Sequence, residues 1–189
     1  MGGSNSILSE EQLDEYVELT YLTKSEIVYI LQKFIKIQNE LRIPNDLTYR
    51  HDIIDILNEF PQYKYNPFRD RIFYVFSSRK DGRISFEDFL DLSSAMSLNC
   101  PLKVKAAWAF KVFDFDDDND ITKYDLMDVI DRLTYGSDRA ELSMDEKNQI
   151  CDILLQEIDL EHSGGMNHLE FIHAITKMPE FATTFSCRL

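Results

Sequence analysis

The sequence of 189 residues is poor in cysteine, with only three in all. Cys100, Cys151 and Cys187 are odd in number, far apart and without the spacing of metal ligands. A disulfide framework needs paired cysteines in an oxidising compartment. We therefore expect reduced thiols in a cytoplasmic protein.

Long hydrophobic runs are missing as well. No stretch approaches the ~20 consecutive apolar residues of a membrane-spanning helix, and no hydrophobic core of a secretory signal is present. We expect a protein of the cytoplasm. Any contact with the cytoplasmic face of the plasma membrane would be peripheral.

Basic charge is scarce too. The chain has 20 lysines and arginines against 34 aspartates and glutamates, and its net charge is -14. The charge stays negative even after two divalent cations bind, so nucleic acid is repelled and is not expected as a partner. A basic or amphipathic helix of another protein is the better electrostatic match.

Signatures of catalysis are also absent. The four histidines, His51, His162, His168 and His173, show no H-E-x-x-H spacing. No P-loop, G-x-S-x-G or Cys–His signature occurs either. We expect no catalytic residues and no enzyme.

What the sequence does contain is a twelve-residue acidic stretch, D-F-D-D-D-N-D-I-T-K-Y-D. Asp114, Asp116, Asp118 and Asp125 stand at positions 1, 3, 5 and 12, and Asp120 at position 7 can offer its backbone carbonyl. This is the ligand spacing of an EF-hand loop, whose oxygens bind hard divalent cations such as Ca2+ and Mg2+.

One amphipathic helix is predicted before this loop and another after it. Apolar residues lie 1, 4, 5 and 8 positions before Asp114 and the same distances after Asp125, which is the spacing of one helical stripe. They are Ala106, Ala109, Phe110 and Phe113 before it, and Leu126, Val129, Ile130 and Leu133 after it. An acidic surface turn is the alternative, and these flanks favour the EF-hand.

Another loop with ligand spacing follows 45 residues later, from Asp159 to Glu170. Its predicted ligands at positions 1, 3, 5, 7 and 12 are Asp159, Glu161, Ser163, Gly165 and Glu170. Both loops keep an apolar residue at position 8, where the loops of an EF-hand pair form a short β-bridge.

The two loops differ at position 12, and this difference predicts a difference in metal preference. Asp125 is one methylene shorter than Glu170 and reaches a cation poorly with both oxygens, which favours six-coordinate Mg2+. Glu170 can close on Ca2+, but its loop has three carboxylate ligands against four in the loop of Asp125. We expect a Mg2+-tolerant site in the loop of Asp125, the third loop along the chain, and a weaker Ca2+ site in the loop of Glu170, the fourth.

Two further helix–loop–helix units precede these, and neither is expected to hold a metal. Residues 77–88 repeat the loop pattern, but Ser77 and Arg79 stand at positions 1 and 3, where carboxylates are required. Residues 38–49 form a fainter first loop without acids at ligand spacing. Its entering stripe is Ile30, Phe34 and Ile37, and its exiting stripe is Ile53, Ile54 and Leu57. An unrelated helix–loop–helix is the alternative for this unit.

The predicted fold is therefore all-α, with four EF-hands in two pairs and short β-bridges between the loops of a pair. An apolar fraction of 44%, with thirteen phenylalanines and nine tyrosines, suffices for two cores. The expected organisation is a leading segment over 1–22, an N-terminal lobe over 23–98, a metal-binding C-terminal lobe over 99–178 and a final segment over 179–189.

The first six residues match the myristoylation pattern M-G-x-x-x-[ST], with Gly2 as the acceptor. A flexible polar terminus is the alternative. One myristoyl chain anchors weakly, so attachment would need a second contact such as a membrane-protein partner.

Several blocks together resemble the calcium- and integrin-binding (CIB, or calmyrin) proteins. They are Y-V-E-L-T-Y-L-T-K-S-E-I from Tyr16, N-P-F-R-D-R-I from Asn66, S-F-E-D-F-L-D-L from Ser85, A-F-K-V-F-D-F-D-D-D from Ala109 and the tail P-E-F-A-T-T-F. The likeness runs over the whole chain. It implies four EF-hands of which only the last two bind metal.

The resemblance also implies an adaptor or calcium sensor with a hydrophobic groove for an amphipathic helix from a membrane-protein cytoplasmic tail. Integrin α-subunits, mechanotransduction-channel segments and some protein kinases are the family's partner types. The C-terminal segment is expected to cover the groove until a ligand displaces it, a permanently docked tail being the alternative. Groove candidates are Val129, Leu133, Ile150, Leu154, Phe171 and Ile175, with plain core positions as the alternative.

Two other functions remain open at this point. A Ca2+ buffer would barely open when it binds metal. A regulatory subunit of a kinase or phosphatase would bind a long partner helix along both lobes.

Overall fold

The computed structural model describes residues 7–135 and 142–187. These residues divide into two compact units. The first comprises the described residues of Met1–Arg69, Phe73–Cys100 and Ser186–Leu189, and the second comprises Asp70–Ile72 with the described residues of Pro101–Phe185. Each unit contains one pair of helix–loop–helix elements, which confirms the predicted all-α EF-hand fold.

The first unit is built from five helices and a single 3-10 turn. They are α1 (Glu10–Leu19), α2 (Lys24–Glu40), α3 (Ile53–Glu59), the 3-10 turn Pro61–Tyr63, α4 (Arg69–Phe76) and α5 (Phe86–Met96). Asp70–Ile72 of α4 group with the second unit.

The second unit has five further helices and one small sheet. Its elements are α6 (Leu102–Phe113), β1 (Asp120–Thr122), α7 (Lys123–Thr134), α8 (Met144–Ile158), β2 (Gly165–Asn167), α9 (His168–Ile175) and α10 (Phe181–Thr184). Within the described ranges, no helix is long and apolar enough to cross a membrane.

Capping boxes set the start of most of these helices. Ser9 caps α1, Thr23 caps α2 and Ser143 caps α8. In each box the backbone N–H of the cap residue also donates to the side chain three residues later. Such boxes satisfy backbone N–H groups that have no partner within the helix.

The core of the first unit is aromatic. Phe34, Phe60, Phe86 and Phe89 are completely or almost completely buried. The rings of Phe60 and Phe89 have centroids 4.3 Å apart, and Phe34 meets Phe86 edge to face at 5.7 Å. Edge-to-face and offset pairs of this kind add to the free energy gained by apolar burial.

The second unit has a mixed aliphatic and aromatic core. Its buried members come from both hands of the pair and are Ala109, Phe110, Ile121, Leu126, Ile130, Cys151, Met166 and Phe171. Ile121 and Met166 are the position-8 residues of the two loops, and they pair directly in the antiparallel β1–β2 ladder. The predicted β-bridge between these loops is thus confirmed.

The first hand lies in a different register from the one predicted. His51 pairs with Ile84, the position-8 residue of the second loop, and α3 begins two residues later, at Ile53. Position 8 is therefore His51, and the loop corresponds to residues 44–55. The predicted loop, 38–49, was wrong because residues 38–40 still belong to α2.

The physical reason for this shift is a longer connection between the helices. Twelve residues (41–52) separate α2 from α3, whereas nine separate the helices of the other three hands (77–85, 114–122 and 159–167). The buried amide of Gln38 organises the extra residues, since it donates to the Asp46 carbonyl at 2.6 Å and accepts from the Asp46 N–H at 3.1 Å. The exiting stripe also changes, because Ile54 is 72% exposed and Ile56 is buried in its place.

Candidate metal centre

The third loop, Asp114–Asp125, gathers its acidic side chains around one point. Carboxylate oxygens of Asp114, Asp116 and Asp118 all lie within 4.8 Å of one another. Asp114 accepts the N–H groups of Asp118 and Asn119, at 3.1 Å each. The backbone thus folds around the position-1 carboxylate, as ligand spacing in this loop requires.

The position-12 residues have a double role in both loops. Asp125 is the third residue of α7, and it forms a capping box with Thr122 at position 9. Glu170 does the same with Asn167 at the start of α9. The position-12 carboxylate also reaches back to position 2, because Asp125 accepts from Phe115 N–H at 2.9 Å and Glu170 from Leu160 N–H at 2.7 Å.

The fourth loop, Asp159–Glu170, is less compact. Asp159 accepts the N–H groups of Ser163 at 3.0 Å and Gly164 at 2.8 Å. These bonds lower the pKa of Asp159, the Gly164 N–H having the largest effect. Within residues 7–135 and 142–187, Asp159, Glu161 and Glu170 do not come together as tightly as the three carboxylates of the third loop.

Backbone conformation repeats between the loops. The position-6 residues, Asn119 and Gly164, have φ of 70° and 97°, and the position-4 residues, Asp117 and His162, have φ of 58° and 56°. Asn tolerates this left-handed region better than most residues, so Asn119 can replace the usual glycine.

The inner carboxylates of both loops are buried without a matching cation. Asp114, Asp125, Asp159 and Glu170 are each at most 6% exposed. No lysine or arginine in the described ranges forms an ion pair with any of the four. Burial raises the pKa of Asp114, and the nearby Asp118 and Asp117 raise it further. Buried anions of this kind need a counter-cation.

One further carboxylate lies between the two loops. Asp120, at position 7 of the third loop, has a buried Oδ1 for which the described residues provide no hydrogen-bond partner. Its carboxylate rests on Gly165, where an added Cβ would approach Asp120 Oδ2 to 2.5 Å. Burial is the main cause that raises the pKa of Asp120, and the negative charges of Asp118, Glu170 and Asp159 raise it further. An unpartnered buried oxygen among acidic residues fits a divalent-cation site.

An arginine supports the third loop from outside. The buried guanidinium of Arg71 donates to the carbonyls of Lys111, at 2.9 Å, and of Asp114, and it pairs with the carboxylate of Asp117. These contacts hold the main chain at position 1 and the side chain at position 4 of the loop. Sequence reasoning missed this residue, although it lies in the quoted block N-P-F-R-D-R-I.

The second loop, Ser77–Asp88, already contains a cation of its own. Arg50 inserts its guanidinium and donates to Ser77 Oγ, Asp81 Oδ1 and Asp88 Oδ2 at 2.8 Å each. It also donates to the carbonyl of Arg83 at 2.6 Å. These partners stand at positions 1, 5, 12 and 7, the positions that would hold a metal ion.

The sequence pattern predicted the loss of metal from Ser77 and Arg79 at positions 1 and 3, and Arg79 is exposed in the structure. The guanidinium in the loop instead comes from the first hand. The signal that could have found it is the register of the first loop, because Arg50 directly precedes His51 of the β-bridge.

The six groove candidates lie in different environments. Phe171 is buried in the core of the second unit, and Leu154 and Ile175 are partly buried against that core. Val129 is half-buried, whereas Leu133 and Ile150 are 61% and 37% exposed. The assignment of these residues to a partner groove stays a prediction.

The C-terminal segment packs on the same core. Phe181 begins α10 and Phe185 directly follows it. Their rings stack with centroids 5.5 Å apart, and both contact the core cluster. The buried Lys105 donates from Nζ to the carbonyl of Phe185 at 3.4 Å. Gly2, the predicted lipidation site, lies outside the described residues.

Comparison with known proteins agrees with this geometry. A family model described as an EF-hand domain pair matches residues 103–176. Two consecutive helix–loop–helix units, a ladder between their loops and buried acids at ligand positions define an EF-hand protein, a class that binds calcium.

Relatives cover the entire chain. The sequence is 34% identical to calcium and integrin-binding family member 2 of Danio rerio over 192 residues, and 35% identical to that of Mus musculus over 194 residues. It is 34% identical to family member 3 of Homo sapiens over 192 residues. Each match covers 100% of both chains. The chain therefore belongs to the calcium and integrin-binding family, whose members are named for binding and not for a catalytic activity.

Proposed function

We propose that this protein is a Ca2+- and Mg2+-dependent adaptor that docks an amphipathic helix from the cytoplasmic tail of a membrane protein. An integrin α-subunit or a channel segment is the expected type of partner, and a protein kinase is a further one. The observation that carries the proposal is the cover on the second core. A helix of only four residues, α10, which begins at Phe181 and is followed by Phe185, packs on an apolar cluster built by two complete hands.

Replacement of this cover by a longer helix is the central step. Contacts that hold the tail include the two stacked rings, the bond from Lys105, the bond from the Cys187 N–H to the Met96 carbonyl at 3.0 Å and short turns within the tail. A partner helix with apolar residues at i, i+3 or i+4, and i+7 would bury more apolar area than α10 does. Leu133 and Ile150, which are exposed on α7 and α8, would lie at the edge of such a groove.

Charge favours a basic partner. The chain carries a net charge of -14, and two divalent cations leave it strongly acidic. Positive residues on the polar face of the partner helix would speed its encounter with this surface. For the same reason a myristoyl group on Gly2 would be a weak anchor alone, and the partner would supply the second membrane contact.

The bound cation would supply the positive charge that the buried acids lack. Asp114 and Asp125 would hold it in the third loop, and Asp159 and Glu170 in the fourth. Because Asp125 is short, we propose that the third loop accepts Mg2+, whereas Glu170 suits the fourth loop to Ca2+. Each position-12 carboxylate is the third residue of an exiting helix, so its ligation orients α7 or α9.

A binding experiment with a helical peptide tests the proposal. The probe is a basic peptide from an integrin α-subunit cytoplasmic tail, and its control is the same composition rearranged so that the apolar spacing is lost. We expect binding in Ca2+ or Mg2+ and weaker binding in chelator. Leu133→Ser should reduce the affinity without unfolding the protein, because this side chain is mostly exposed.

Removal of residues 179–189 provides the matched variant. If the tail competes with the partner, the truncated protein should bind the peptide several-fold more tightly. Equal binding of the ordered and rearranged peptides would reject the adaptor function. Metal binding without any peptide binding would identify a buffer instead.

A further inference from the structure

In both units, the position-7 side chain of the first loop of the pair reaches the second loop of that pair. Arg50 is position 7 of the first loop, one residue before the bridge residue His51. Asp120 is position 7 of the third loop, one residue before the bridge residue Ile121. The two side chains therefore occupy equivalent places in the two EF-hand pairs.

In the first unit, the side chain at position 7 of the first loop reaches the point where the second loop would bind a cation. Arg50 donates to the carbonyl of Arg83, the position-7 residue of the second loop, at 2.6 Å. It also bonds the position-1 and position-12 side chains, Ser77 and Asp88. A charged group at position 7 of one loop is thus delivered into the ligand set of the next.

In the second unit the position-7 side chain of the third loop lies against position 7 of the fourth loop. Asp120 pairs with Asn167 in the ladder, and Gly165 is its diagonal neighbour on the same face. A Cβ on Gly165 would approach Asp120 Oδ2 to 2.5 Å and Cγ to 2.7 Å, so only glycine leaves room for this carboxylate. Gly165 is position 7 of the fourth loop, as Arg83 is of the second.

The fourth loop has one carboxylate ligand fewer than the third. Its position 5 is Ser163, whose Oγ lies 3.3 Å from the carbonyl of Gly165. The third loop has an aspartate, Asp118, at the corresponding position. Meanwhile Asp120 Oδ1 is buried and, within the described ranges, makes no hydrogen bond.

We propose that the carboxylate of Asp120 serves the cation of the fourth loop, adding a negative group from the third loop to Asp159, Glu161 and Glu170. The two loops then share one residue, which contributes its carbonyl to the third site and its carboxylate to the fourth. The inference rests on cation binding by the fourth loop, which belongs to the proposed function. It explains why the buried Oδ1 of Asp120 has no hydrogen-bond partner among the described residues.

The test measures the fourth site by itself. Asp114→Asn removes the position-1 ligand of the third loop, and calorimetric titration of this variant with Ca2+ then reports the fourth loop. Adding Asp120→Asn keeps the backbone carbonyl and removes the charge, and we expect the Ca2+ affinity to fall about fivefold, or roughly 1 kcal/mol. Asp128→Asn, which neutralises an exposed carboxylate on α7, is the matched control and should change the affinity less than twofold.

The outcomes separate this inference from the function on which it rests. No Ca2+ binding by the Asp114→Asn variant would overturn both. Binding by that variant that is unchanged after Asp120→Asn would overturn the inference alone.

A second variant imitates the first unit. Asp120→Arg places a guanidinium where Arg50 lies in the other pair, so the fourth loop should lose Ca2+ while staying folded. The amide resonance of Gly164, which bonds Asp159, reports that loop. A Gly164 resonance that still shifts with Ca2+ as in the wild type would contradict the inference. If Asp120→Arg does not fold, the Asp120→Asn titration decides alone.

Discussion

Nη1 of Arg50 lies 2.8 Å from Oδ2 of Asp88, and the side chains of both residues are nearly buried. Asp88 is position 12 of the second loop and the third residue of α5, where it forms a capping box with Ser85. The pair therefore joins the first hand to the helix that leaves the second. In a metal-binding hand, the position-12 carboxylate binds the ion instead.

Removal of the guanidinium should destabilise the first unit strongly. Arg50→Met preserves much of the side-chain length but leaves Asp88 buried without a counter-charge, and breaking such a pair costs about 3 kcal/mol. Urea unfolding followed by circular dichroism would measure this. Arg83→Met is the control, since Arg83 pairs with Asp52 at an exposed site and should cost less than about 1 kcal/mol. Equal effects of the two variants would show that Arg50 does not hold the loop.

A cation site should appear in the second loop when its internal cation is removed and its ligands are restored. Ser77→Asp and Arg79→Asp combined with Arg50→Ala give aspartates at positions 1, 3, 5 and 12, as in the third loop. Calorimetry should then detect one more bound divalent cation than in the wild type. The control keeps Arg50 with the two new aspartates, and it should gain none. An extra ion in this control would mean that Arg50 does not occupy the site.

Local patterns were sufficient to predict the third and fourth hands. The acidic residues from Asp114 and from Asp159 follow ligand spacing within twelve residues, and the apolar stripes lie in the adjoining helices. The bridge residues Ile121 and Met166 followed from the same numbering, and their pairing is confirmed.

Contacts between hands could not be predicted from local sequence patterns. Arg50 lies 27 residues before Ser77, and its role depends on a ladder contact that no local spacing encodes. The first loop also has three additional residues and uses the amide of Gln38 instead of acids, so ligand spacing placed it wrongly. Asp120 was identified only through its carbonyl, because the direction of its side chain depends on the fourth loop.

Metal preference of the third loop should follow the length of its position-12 side chain. Asp125→Glu adds the methylene needed for two-oxygen ligation, and we expect Ca2+ affinity relative to Mg2+ to rise about tenfold, or roughly 1.4 kcal/mol. Competition titrations with the two ions would measure the ratio. Glu170→Asp in the fourth loop should shift its ratio in the opposite direction. A third-loop ratio unchanged by the longer side chain would show that position 12 does not set the preference.

The stability of the first unit should depend on the protonation of His51. The ring is 1% exposed, and burial lowers its pKa below the usual value of about 6.5, with Asp55 and Asp52 opposing this shift. The unfolded chain therefore takes up a proton first as the pH falls. The stabilisation that comes from keeping His51 neutral is fully present above about pH 6.5. It is lost as the pH falls from there toward the lower pKa of His51 in the folded state. His51→Gln retains a polar group beside Gln38 without titrating.

Urea unfolding at pH 7.5 and 5.5, with saturating Mg2+ throughout, measures this dependence. The wild type should lose more stability between these two values than His51→Gln does, because carboxylates of the metal loops titrate equally in both proteins. His173→Gln is the control for an exposed histidine of the second unit and should keep the wild-type dependence. If His51→Gln and the wild type lose the same stability on acidification, His51 does not carry this linkage, and the pH dependence belongs to other groups.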